Sequence, residues 1–309
     1  MQKVKGRLFQ LSLSAGKKLI QASAPICPSL ACFNLKEKPE PAHFQLICCL
    51  NPMEYFVPKG SIVREIWGKG DTTLFIFAGA SAEFALNKAV DWLYFTGKLP
   101  ADPLGRLFST VSYARQIVFS ENETALQAID RITAIHAGVE EKRGSRIPDW
   151  AYRDVLFMLI GYSISAYEMV ERKLLEKEKE EVFEVFYRVG HRMGIPDLPT
   201  SYQEWEKVRK EHLRRNYTNS HFTQDLYKQY RKHLGPIRYF LLLEAQILVV
   251  PERVRELLNL RKLSFLTPIL AVYKFSRRLK LDWLLKSLIL PSAYKKEIAE
   301  LDVAACVSS

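Results

Sequence analysis

Apolar side chains recur through Thr124–Val139 at the period of a helix. Counting from Ile129, spacings of three, seven and ten reach Ile132, His136 and Val139, so one stripe carries three aliphatic residues and an imidazole. The same reading extends over most of the chain. Asp71 precedes Thr72–Leu99, an alanine-rich apolar run that predicts a buried helix broken near Gly79. Leu99-Pro100-Ala101-Asp102-Pro103 is a turn in which Asp102 can cap a helix with Pro103 at its first position. That helix carries Arg106, Thr110, Tyr113 and Ile117, and Ser120–Thr124 opens the next, which bears His136. Asp149 is placed to cap a helix containing Trp150, Val155, Leu159 and Tyr162. The block Leu174–Glu181 is a solvated face before the Phe183, Phe186 and Val189 stripe, and Thr200 or Ser201 starts a helix through Arg214. Further helices are expected at His221–Leu234, Ile237–Val250, Pro251–Leu260 and Thr267–Leu290, whereas Asn51–Gly70 reads as loop. No run shows the period-2 alternation of a strand. The expected fold is all-α, a single orthogonal bundle of roughly ten helices with a cofactor cavity between them.

Composition narrows the picture. The 309 residues are 48% hydrophobic and 26% charged, the balance of a globular chain with a substantial core. With no internal linker or repeat, we expect one helical domain over residues 51–301, a basic tail over 1–50 and a short tail over 302–309. The net charge of +11 points to an anionic surface as partner. No zinc-finger spacing or aromatic-basic RNA-binding signature accompanies it, so an anionic membrane surface is favoured and nucleic acid is not expected. Tyr273–Leu290 interleaves Lys274, Arg277, Arg278 and Lys280 with Phe275, Leu279 and Trp283, a mixture suited to such a surface. An ordinary surface helix packed on the core is the other reading of that segment.

Cys27, Cys32, Cys48, Cys49 and Cys306 all lie near the ends of the chain, and their odd number argues for free thiols in a reducing compartment. Residues 1–36 lack acids and contain several serines, as organelle transit peptides do and as disordered tails also do. No stretch reaches 18 uninterrupted apolar residues, and an intracellular location, cytoplasmic or peripheral to a membrane, is expected. Hydrolase triads, phosphate-binding glycine loops and paired carboxylate boxes are absent from the sequence.

Two readings of His136 stand side by side. It is either a hydrogen-bonded core histidine or a ligand for a metal or haem iron, because neutral imidazole serves both roles. Arg106 and Thr110 lie one turn apart on the preceding helix, which a short connection would pack antiparallel to the His136 helix. The three could face one cavity. Alternatively, Arg106 pairs with a buried carboxylate such as Asp91 or Glu83 while Thr110 bonds its own helix backbone. His43, His191, His212, His221 and His233 sit among charged residues or in the tail and read as exposed or capping.

The order of these features resembles a known family. Gly79 and its alanine-rich helix are followed by Asp102-Pro103-Leu104-Gly105-Arg106-Leu107-Phe108-Ser109-Thr110. Ile135-His136, Tyr187-Arg188, Gly194-Ile195-Pro196 and Leu198-Pro199-Thr200 then follow. Together, from Gly68 to Leu260, they are similar to the MpaB-type and latex-clearing rubber oxygenases. The resemblance implies an all-helical haem-b oxygenase with His136 as axial iron ligand and Arg106 and Thr110 near the haem and its distal side. It implies dioxygen and an isoprenoid or other lipid-like hydrophobic substrate as reactants. Lys88-Ala89-Val90-Asp91 replaces the family's Ala-His-Pro, and Ser109 stands where rubber-cleaving members carry lysine, departures that leave polyisoprene as substrate and the distal ligand open. A non-catalytic helical protein that carries haem or lipid at a membrane surface is the alternative.

Overall fold

A computed structural model of the chain describes residues 55–97 and 101–268, together with Leu270 and Tyr273. The expected tails, all five cysteines, His43 and most of the Thr267–Leu290 helix lie outside the described residues. Within them the fold is helical and holds no strand. Two isolated bridges, Tyr55 with Glu121 and Asn87 with Tyr217, are the only extended pairings among the described residues.

The helices run α1 (Ile62–Gly68), α2 (Gly70–Leu86), α3 (Val90–Phe95), α4 (Pro103–Phe119) and α5 (Asn122–Arg143), then α6 (Asp149–Val170), α7 (Glu176–Arg192), α8 (Tyr202–Arg215), α9 (His221–Val249) and α10 (Glu252–Leu257). The most extensive packing joins α2 to α6 and α2 to α9, with α7 also against α6. Buried around this centre are Trp67, Ile76, Leu86, Phe157, Ile160 and Phe183. Helix α2 is buried almost all round, the pattern of a central helix.

Gly79 does not break α2, contrary to expectation. A Cβ there would lie 2.2 Å from Tyr162 Cε1, so the missing side chain is the space that the Tyr162 ring fills. The helix stops eight residues later. At Asn87 the side chain turns to donate to Asp154 (2.9 Å) and to accept from Ala89 N (2.8 Å), taking the backbone out of helical register. A second correction concerns the segment expected to be loop, which contains α1. There Ser61 Oγ caps Val63 N at 3.1 Å and Ile62, Val63, Ile66 and Trp67 are buried. The two helices predicted on either side of Gly235 are both present, numbered together as α9, and meet at a break where Gly235 takes a φ of 72° that a residue with a side chain rarely adopts.

Candidate functional site

The site grows from the start of α4. Asp102 accepts from Gly105 N at 2.9 Å and Pro103 occupies the first turn, as the sequence predicts. This start sets the rotation of α4, which places Arg106, Ser109 and Thr110 together. Arg106 Nη1 donates to Thr110 Oγ1 at 2.8 Å and to Ser109 Oγ at 3.3 Å. Both hydroxyls donate back to the Arg106 carbonyl, at 3.1 and 2.8 Å.

The carboxylates that could have neutralised Arg106 are engaged elsewhere. Glu83, fully buried, holds Arg209 in a bidentate pair at 2.8 and 2.7 Å and accepts from Tyr162 Oη at 2.7 Å. Asp91 binds Arg143 at 2.6 Å, with that guanidinium 4.0 Å from the Trp92 ring. Among the described residues no carboxylate forms an ion pair with Arg106. Burial pulls the pKa of Arg106 below its usual value. A half-buried cation with only hydroxyl partners retains an unmet demand for negative charge.

Helix α5 follows after Ser120 and Glu121, a two-residue connection. Arg106 lies thirteen residues before the end of α4 and His136 fourteen after the start of α5, the register that sets two residues side by side across a helical hairpin. Electrostatics agree with the placement. Burial is the main cause that lowers the pKa of His136, Arg106 lowers it further, and Glu140 opposes both. The ring is therefore held neutral, the form that can ligate a metal.

His136 is half-buried rather than part of a fully buried stripe, because burial fades from Ile129 toward the end of α5. Its Nδ1 is nonetheless buried with no hydrogen-bond partner. The ring stands edge-on to Tyr152, with centroids 5.2 Å apart. Tyr152 Oη donates to Glu140 Oε1 at 3.1 Å, and the same oxygen accepts from Ile147 N at 2.8 Å. Glu140 lies one turn from His136 and is legible from that spacing. Tyr152 comes from α6 and has no local sequence signal.

Thr110 faces an apolar cavity shared with Ile76 and Phe77 of α2 and Val155 and Met158 of α6, with about 20 Å³ of free space. That is room for about one water. Among the described residues no cluster of His, Cys, Asp and Glu could hold a metal ion by itself. A haem iron needs no such cluster, since the porphyrin supplies four nitrogens and the protein an axial side chain.

His212, expected to be exposed or capping, instead belongs to a structural cluster. Its Nδ1 lies 2.6 Å from buried Asp154, which also binds Asn87 and Asn216. The charged neighbours of His212 concealed its inward face.

Residues 67–278 match the family model described as the catalytic domain of ER-bound oxygenase mpaB/B′ and rubber oxygenase. The chain belongs to this family. The match covers every residue of the Arg106, Thr110 and His136 constellation and gives the chain an oxygenase catalytic domain. Comparison with curated proteins yields no match.

Proposed function

We propose that the chain binds haem b through His136 and uses dioxygen to oxidise an isoprenoid or other lipid-like hydrophobic substrate. One observation carries the reading. The His136 ring, whose buried Nδ1 no described group pairs, is electrostatically coupled to the Arg106 guanidinium, which no described carboxylate pairs; a haem would draw on the neutral ring for its iron and on the guanidinium for its propionates. The donor set fits the group. The free space that Thr110 lines between α2, α4 and α6 is about that of a water, and His136 does not line it.

The haem would supply the iron chemistry that activates dioxygen. The chain supplies the rest. His136 offers a neutral ring whose edge contact with Tyr152, itself held by Glu140, limits rotation. Arg106 offers fixed positive charge, aimed by the Thr110 and Ser109 hydroxyls. Ile76, Phe77, Val155 and Met158 keep water out and match an apolar chain. A substrate of this kind dissolves in membranes, and the net charge of +11 supports work at an anionic membrane surface. No helix among the described residues is long and apolar enough to cross a membrane.

The test is oxygen uptake by the haem-loaded chain, with isoprenoid alcohols and unsaturated acyl chains offered in turn and labelled dioxygen traced into product. Substrate-dependent uptake with label in the product supports the oxygenase. Haem bound without substrate-dependent uptake would instead identify a carrier.

A further inference from the structure

Far from the haem-site residues in sequence, a buried carboxylate holds an exposed apolar turn in place. Glu244 of α9 is 1% exposed, yet its partners are the residues of the turn after α10. Its Oε2 accepts from Ser264 Oγ at 2.9 Å and Phe265 N at 2.6 Å, its carbonyl accepts from Ser264 Oγ at 3.1 Å, and Arg261 pairs with Oε1. Tying Ser264 inward turns its neighbours outward, leaving Leu263 79% and Phe265 62% exposed. Phe265 stacks on Phe240, 6.3 Å between centroids. Phe240 and Ile237, the latter 76% exposed, share a face just after the Gly235–Pro236 kink of α9. Four large apolar side chains thus stand in water on one surface, which a soluble surface does not need.

The charges beside them have one sign. Between Gln229 and Leu243 the sequence holds Arg231, Lys232 and Arg238 and no acid. Arg261 and Lys262 immediately precede Leu263, and Arg261 also lies over the Phe265 ring at 4.1 Å. The nearby acid Glu244 is paired internally with Arg261, so neither adds a free charge to this surface. A partner must accept apolar side chains and present negative charge around them, which describes the headgroup boundary of an anionic bilayer.

We propose that Ile237, Phe240, Leu263 and Phe265, with Arg231, Lys232, Arg238 and Lys262 close to them in the chain, form the surface by which this protein docks on anionic lipid membranes. The apolar residues enter below the headgroups while the bases pair with lipid phosphate or carboxylate. The inference draws its purpose from the lipid-like substrate proposed above. Its contacts do not depend on haem.

Sedimentation of the full chain with vesicles tests it, comparing neutral phosphatidylcholine with vesicles containing a third phosphatidylserine. We expect binding only to the anionic vesicles, weakened by salt. Leu263→Ser with Phe265→Ser should weaken binding about tenfold or more, and Arg238→Glu with Lys262→Glu at least as much. Circular dichroism and gel filtration would check that each variant keeps its helicity and oligomeric state. Absence of vesicle binding by the wild type would overturn the proposal. So would unchanged binding in both double variants, including the case in which reversal of Lys274, Arg277 and Arg278 alone abolishes it. A change of oligomeric state in the variants would assign the face to a second copy and overturn it too. The Soret band of the same samples, read separately, reports on the haem proposal, so either can fail without the other.

Discussion

Gly79→Ala tests the packing that positions the site. The added methyl carbon would sit 2.2 Å from Tyr162 Cε1, and ordinary contact begins near 3.4 Å, so the ring must retreat by more than an ångström. It has nowhere easy to go. Tyr162 is 1% exposed and its hydroxyl is fixed to Glu83 at 2.7 Å. Losing a hydrogen bond to a charged group costs about 1.5–3 kcal/mol, and overpacking a closed core adds about 1–3 kcal/mol. Alanine returns about 1 kcal/mol of helix propensity over glycine. The expected net loss is therefore about 1.5–5 kcal/mol. Gly138 in α5 is the control, because a Cβ there meets nothing within 4 Å. Gly138→Ala should be neutral or stabilising by up to about 1 kcal/mol. Guanidinium denaturation followed by circular dichroism reads both. Equal midpoints for the two variants would refute the claim that Gly79 exists to admit Tyr162.

Arg209→Met strands the fully buried Glu83 with only tyrosine hydroxyls beside it, and a destabilisation of about 3–5 kcal/mol is expected by the same denaturation assay. A loss below about 1 kcal/mol would refute the claim that the Arg209–Glu83 pair holds this part of the core. Arg106→Leu removes a cation that has no carboxylate to strand, so stability should change by less than about 1 kcal/mol. Haem titration should show affinity reduced about tenfold, the loss of one charge-assisted pair. Unchanged haem affinity would remove Arg106 from the site.

How much of this was readable from sequence depends on how local each cause is. The start of α4 was legible because Asp102, Pro103 and Gly105 meet within one turn. The hairpin of α4 and α5 followed from two periodic stripes and a short link. Gly79 misled because sequence cannot show which distant ring fills a missing side chain, and the true end of α2 is set by Asp154, far away at α6. Helix α1 was hidden by Pro58, Gly60, Gly68 and Gly70, although Ser61 followed by Ile-Val-x-x-Ile-Trp is a capped apolar stripe. His136, Arg106 and Thr110 were singled out by spacing on their own helices, and the structure sets Arg106 on Thr110 and within electrostatic reach of His136. The state of Arg106 was not legible from spacing, since it rests on where Glu83 and Asp91 spend their charge. Tyr152 was not readable, and neither was the place Tyr162 fills at Gly79, because both side chains reach across from α6.

The most direct measurement is the visible absorption spectrum of protein purified from haem-supplemented cells, recorded beside His136→Ala. His136 lacks a hydrogen-bond partner at its buried Nδ1, so its loss should leave the helical fold intact while removing an axial ligand. The account predicts a Soret band in the wild type that is absent from an equally helical His136→Ala variant. A colourless wild type after haem addition, or a band unchanged in the variant, would contradict it.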